Sequence, residues 1–205
     1  MKNYAIVPVM AAAIFILGGC SKDAVSKLSA DESRLYITNH DSTADFSSFK
    51  TFSISDSVDV ISNNHLRGKT RTSFDSLLIS SVAGIMAQRG YTQVTNDAKP
   101  DLGINVSNMI SSYTVVYGNY YDDYYDYLDP YYWGYGGYGY YSSYIGQYQV
   151  NAGAISIDMF DLKDATANGK IKAVWSGVIQ GTGTYNSTDV SSSVQALFNQ
   201  SAYIK

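Results

Sequence analysis

One cysteine, two histidines, three prolines and a single glutamate stand in 205 residues. The lone cysteine, Cys20, excludes an intrachain disulfide and any cysteine-based metal site. His40 and His65 do not stand in a zinc-binding spacing. There is no Gly-x-Ser-x-Gly elbow and no Walker-type phosphate loop. Gly134-Tyr135-Gly136-Gly137 lacks the strand–turn–helix frame of a dinucleotide fingerprint. With Glu32 the only glutamate, and Ser, Thr, Asn and Gly abundant, the composition favours strands and turns over long surface helices. No apolar run reaches the about 20 residues that a membrane-spanning helix needs.

The longest such run covers residues 5–17 and is interrupted by Pro8. It follows Lys2 and precedes Leu17-Gly18-Gly19-Cys20. A basic start, a short apolar stretch and small residues before a cut site make a secretory signal peptide over residues 1–19. Leu17-Gly18-Gly19-Cys20 resembles the lipobox of bacterial lipoproteins, which implies cleavage before Cys20 and a diacylglyceryl thioether on its sulfur. Two or three acyl chains, at about 0.8 kcal/mol per buried methylene, would hold the chain stably to a membrane. In enteric bacteria the resemblance implies the outer membrane, because Ser21 stands where an inner-membrane lipoprotein carries aspartate. Lys22-Asp23 matches only the first half of a surface-export signal known from another Gram-negative group, so the face of that membrane stays open.

Without the leader the chain has 13 bases against 18 acids. That balance argues against nucleic acid, which needs a basic surface, and against strong adsorption to anionic lipid. Residues 20–44 are polar and lack a sustained period, so they read as a lipidated N-terminus and flexible tether.

The folded part is expected to begin at Asp45. Phe46, Phe52 and Ile54 share one parity, so residues 45–55 read as a strand. A polar loop is expected up to Arg71. Phe74, Leu77, Leu78, Val82, Ile85 and Met86 recur at three- and four-residue spacing, which predicts a helix over 73–89, capped by Thr72 or Ser73 and stopped by Gly90. Tyr91–Val94 reads as a short strand. Leu102, Ile104 and Val106 alternate as a half-buried strand, and so do Ile155, Ile157 and Met159. Asn168-Gly169 signals a hairpin turn, with Ile171, Ala173, Trp175 and Ile179 on one face of the return strand. A last helix is expected near 187–198. This order predicts an α+β two-layer sandwich, a mainly antiparallel sheet with two helices on one face.

Asp45-Phe46-Ser47-Ser48-Phe49-Lys50-Thr51-Phe52, Gly90-Tyr91, Lys99-Pro100-Asp101-Leu102, Val174-Trp175-Ser176-Gly177 and a closing Leu197-Phe198 helix carry a family resemblance. They resemble the landmarks of a family of envelope lipoproteins catalogued as a domain of unknown function. The resemblance covers residues 45–205 apart from the tyrosine-rich stretch. It implies a fold and an envelope location, and it brings no catalytic residues to transfer. Trp175, Phe46 and Phe52 read as core by themselves.

Residues 113–148 hold 15 tyrosines, Trp133, four acids and no base. Three readings are open: a platform that binds sugar, protein or envelope polymer; a surface that lies on lipid; and an inert low-complexity insertion packed on its own sheet. The candidate ligand contacts are Tyr131, Tyr132, Trp133, Tyr135 and Tyr138. Because the flanking strands are patterned for the sheet without it, the insertion is expected to be dispensable for folding and needed for binding. Asp122, Asp123, Asp126 and Asp129 do not match the ligand spacing of a calcium loop, and no metal or cofactor is expected. Asp158 and Asp161 have opposite strand parity and make a poor catalytic pair. The expectation is a non-catalytic binding or structural module anchored to the envelope, with a hydrolase of envelope glycan or peptidoglycan as the alternative.

Overall fold

The structure is a computed structural model and describes residues 33–117, 128–143 and 146–205. The leader, Cys20, most of the expected tether and Asp122, Asp123 and Asp126 lie outside the described residues.

The expected α+β sandwich is present. Eleven strands are described: β1 (Leu35–His40), β2 (Thr51–Ile54), β3 (Val58–Ser62), β4 (His65–Thr70), β5 (Thr92–Gln93), β6 (Leu102–Met109), β7 (Tyr113–Tyr117), β8 (Gly139–Ser142), β9 (Gly146–Val150), β10 (Ala154–Asp161) and β11 (Lys170–Gln180). The two long helices are α1 (Ser73–Gln88) and α2 (Val190–Asn199). The main sheet runs β1-β11-β10-β6-β2-β5. Its three longest pairings, among β1, β11, β10 and β6, are antiparallel. β2 and β3 both lie parallel to β6, end to end along one edge. β7 and β9 form a separate antiparallel ribbon.

Both helices pack on one face. Leu78, Val82 and Met86 of α1 and Val194, Leu197 and Phe198 of α2 are buried against Phe52, Ile104, Ile157 and Trp175. The α1 pattern is local: Thr72 accepts from the Asp75 amide (3.1 Å) and Asp75 accepts from the Thr72 amide (2.7 Å), a complete capping box. Thr72→Ala is expected to cost about 1 kcal/mol; urea unfolding checks it, and no change in midpoint would mean that packing alone holds the helix start. Gly90 follows the helix with φ 89°, as a stop glycine should. Trp175 is fully buried, its indole N–H donating to Ser201 Oγ (2.9 Å). A Cβ at Gly177 would overlap its ring, so the Val174-Trp175-Ser176-Gly177 landmark is a tryptophan and the gap that seats it.

The structure corrects several expectations. The tether does not extend to residue 44: β1 pairs with β11 from Leu35↔Gln180 to His40↔Trp175. Arg34 pins its start, donating to Ser193 Oγ (2.6 Å), the Gly183 carbonyl and Asp189. β1 is short and partly exposed, and its apolar residues Leu35, Tyr36 and Ile37 are consecutive, so it carries no alternation to read. Within 45–55, Asp45 caps a 3-10 turn through the Ser47 amide (2.9 Å), and only Thr51–Ile54 is strand. The loop up to Arg71 is the β3–β4 hairpin, turned by Asn63 and Asn64 with φ 50° and 59°. The outer strand of that hairpin is exposed from His65 to Lys69 and has no apolar face. Asn168-Gly169 closes one helical turn, Ala165–Asn168, rather than a tight hairpin. The β10–β11 register shifts at Val174, so Ile171 and Ala173 face away from the helices while Trp175 and Ile179 face them.

The largest correction concerns the tyrosine-rich insertion. β8 joins the main sheet, parallel to β11 from Lys170↔Gly139 to Ala173↔Ser142. Leu128 and Trp133 are buried with Ile61, Met109, Phe160, Leu162 and Ile171 on the face opposite the helices. The insertion is part of the cover of that face and contributes to the core.

Candidate functional site

Asp129 and Pro130 start the segment that builds the site. The Asp129 carboxylate accepts from the Tyr131 amide (2.9 Å), Pro130 takes the first helical position, and Gly134 stops the 3-10 turn at φ 83°. With about three residues per 3-10 turn, consecutive rings point in different directions. Trp133 points inward and is 6% exposed, whereas Tyr131 points outward and is 73% exposed. Trp133 lies over Gly103 of β6, where a Cβ would come within 3.2 Å of the indole. A glycine inside a buried strand is a sequence signal that something large sits on this face.

The other rings are held in turn. Tyr132 meets Trp133 edge to face at 4.7 Å. Its hydroxyl accepts from the Asp56 amide (3.3 Å), where the chain breaks between β2 and β3, and Lys69 lies 5.1 Å above its ring. The Tyr135 hydroxyl donates to the Leu162 carbonyl (2.8 Å), and its ring lies 5.6 Å from that of Tyr138. Tyr131 lies against Gly136, where a Cβ would overlap its ring.

All five aromatic residues singled out from the sequence line one cleft of about 550 Å³. Trp133 belongs chiefly to its floor and to the core. The opposite wall is the loop carrying Asn96, Asp97, Lys99 and Pro100, and Thr166 adds a hydroxyl. Asn96 joins the walls: its Nδ2 donates to the Tyr132 carbonyl (3.1 Å), and its Oδ1 accepts from Ser53 Oγ. Lys99 has φ 53°, a left-handed conformation uncommon outside glycine. The sequence carries no sign that this loop is a wall, because its partner Tyr132 lies 36 residues on in the chain.

Beneath the cover runs a buried polar seam across four strands: Asp59, Asn105, Ser107, Ser156, Asp158 and Ser176. Asn105 Nδ2 donates to Asp59 Oδ2 (3.2 Å) and Ser107 Oγ (3.0 Å), and Ser156 Oγ donates to Asp158 Oδ2 (2.9 Å). Burial pushes Asp158 up to about 7, and the Ser156 hydroxyl only partly offsets it. Burial also raises Asp59, against the pull of Lys69 at 3.5 Å. Asp158 has no solvent-accessible surface, so no substrate reaches it in this structure.

His40 stacks on Tyr203 (4.0 Å), and His65 is exposed at the β3–β4 turn. Among the described residues no three His, Cys, Asp or Glu side chains gather as a metal site, and no helix is long and apolar enough to cross a membrane.

The family model described as Domain of unknown function (DUF4136) matches residues 37–201. A solved structure of a DUF4136 family protein from Bacteroides thetaiotaomicron is 26% identical, with a TM-score of 0.64, covering 85% of this chain and 99% of that one. A PDZ domain protein from Parabacteroides distasonis is 14% identical with a TM-score of 0.43, over 84% of this chain and 37% of that one, too slight a likeness to bear on the argument. No curated protein matches. With its strands, helices and landmarks spanned by the family match, this chain belongs to the DUF4136 family.

Proposed function

We propose that this protein is a lipoprotein of the bacterial envelope, held by a lipid on Cys20 to the outer membrane, and that it acts as a non-catalytic binding module through the Tyr131 cleft. The observation that carries the binding reading is the gathering of Tyr131, Tyr132, Trp133, Tyr135 and Tyr138 around one cleft. Rigid rings with a polar tip give contact area at low entropic cost, and about 300–1,000 Å³ is the usual size of a small-ligand cleft. The walls are pinned to each other through Asn96, so little ordering remains to oppose binding.

Anchoring and binding are tested separately. Cys20→Ala is expected to abolish labelling by a fatty-acid analogue, since no second thiol exists; continued labelling of that variant would end the lipoprotein assignment. For binding, the detergent-solubilised full chain is passed over immobilised, delipidated envelope. Retention is expected, and Tyr131→Ala is expected to lower it about tenfold, the scale of one lost aromatic contact. Equal retention of both proteins would rule out the cleft as the binding surface.

A further inference from the structure

We propose that the ligand of this cleft is a saccharide, with Tyr131 as the platform on which a sugar ring stacks and Asp97 and Lys99 as the groups that meet its hydroxyls. The inference rests on the binding reading above and names the class of its ligand.

Tyr131 has the geometry of a platform. Its amide is tied to Asp129 and part of its ring rests on Gly136, yet it remains 73% exposed. A ring already held in place loses little freedom when a second ring stacks on it. The C–H face of a pyranose is apolar and flat, as this site requires, while its hydroxyls project around the rim.

The lining chemistry favours the same ligand. Among the described residues no Leu, Ile, Val, Met or Phe side chain lines the cleft. An apolar peptide side chain would find no aliphatic pocket there, whereas a polyhydroxylated ring finds aromatic faces with an acid, a base and hydroxyls beside them. Asp97 accepts hydrogen bonds and Lys99 donates them, so vicinal hydroxyls can meet both. Their opposite signs also fit an uncharged ligand. Lys99 holds its left-handed backbone through its own amide, which donates to the Asn96 carbonyl (3.1 Å). That bond fixes where its side chain leaves the loop.

The test divides delipidated envelope into two immobilised fractions. One is protease-digested and keeps its glycan; the other is chemically deglycosylated and keeps its protein. The detergent-solubilised full chain is passed over each, beside Tyr131→Ala and Tyr131→Phe. The proposal expects retention on the glycan fraction, a loss of about tenfold with Tyr131→Ala, and near-parent retention with Tyr131→Phe, which keeps the ring. Thermal melting of the exposed-site variants checks that their fold is unchanged. Retention confined to the protein fraction and still dependent on Tyr131 would overturn the saccharide assignment and leave the cleft as a protein-binding surface. Retention on either fraction that ignores Tyr131→Ala, or no retention at all, would overturn the saccharide assignment and the cleft reading together.

Discussion

A chain in which residues 128–142 are replaced by a short Gly-Ser linker is expected not to fold. The replacement removes Leu128 and Trp133 from the second core and takes away the strand that pairs with Lys170–Ala173 of β11. Phe160, Leu162 and Ile171 lose cover together. Each large side chain exposed in this way costs about 1.5–3 kcal/mol, and a typical domain has only about 5–15 kcal/mol in total. The single substitution Trp133→Ala is expected to cost about 3–5 kcal/mol through the cavity it leaves over Gly103. Near-UV circular dichroism and urea unfolding report both. A linker variant that unfolds cooperatively near the parent midpoint would show that the cover is dispensable, as the flanking strand patterns by themselves suggest.

Asp158→Asn is expected to stabilise the protein by up to about 4 kcal/mol near pH 8 and hardly at all near pH 3. The sign follows from the direction of the shift. Burial raises Asp158 from 3.8 to about 7, so the folded state holds its proton where the unfolded state has released it. The stability this contributes is fully present below about pH 3.8 and is lost as pH rises through about 7. Each unit is worth about 1.4 kcal/mol. The neutral isostere never ionises and escapes the loss. Burial raises Asp59 and Asp161 in the same sense. Asp41 behaves oppositely: burial pushes it up, but Lys172 and the Thr43 donors hold it at about 2. These groups are common to both proteins and cancel in the difference between their unfolding curves. Stability profiles that stay parallel from acid to about pH 8 would mean that Asp158 is hydrated, and the seam would then be open to water.

The seam also bears on whether this fold does chemistry. A carboxyl that titrates near neutrality is often a catalytic acid or base. Asp158 has the shift without the access, and its Oδ2 is occupied by Ser156. The cleft has access, and among the described residues that line it Asp97 is the one carboxylate. The shifted acid and the open cleft are therefore apart in this structure, and the proposed binding role uses the cleft alone.

What the sequence alone determined is local or periodic. The α1 helix was legible because its apolar spacing, its capping box and Gly90 all fall within one stretch of chain. β6 and β10 were legible because one face of each meets the helices and alternates cleanly. The five aromatic residues of the cleft stood out by composition. Only the tertiary structure decided the rest, and the reason is the same each time. β1 and β4 are exposed or half-buried edges whose own residues show no buried face, and β1 and β3 are placed by partners far away in the chain, β11 and β6. The shift at Val174 depends on β10 beside it and reverses which residues of β11 see the helices. Whether Tyr and Gly form a free loop or a cover depends on what lies beneath them. Here Gly103 leaves room for Trp133, and this distant contact makes part of the insertion core and leaves Tyr131 outside it.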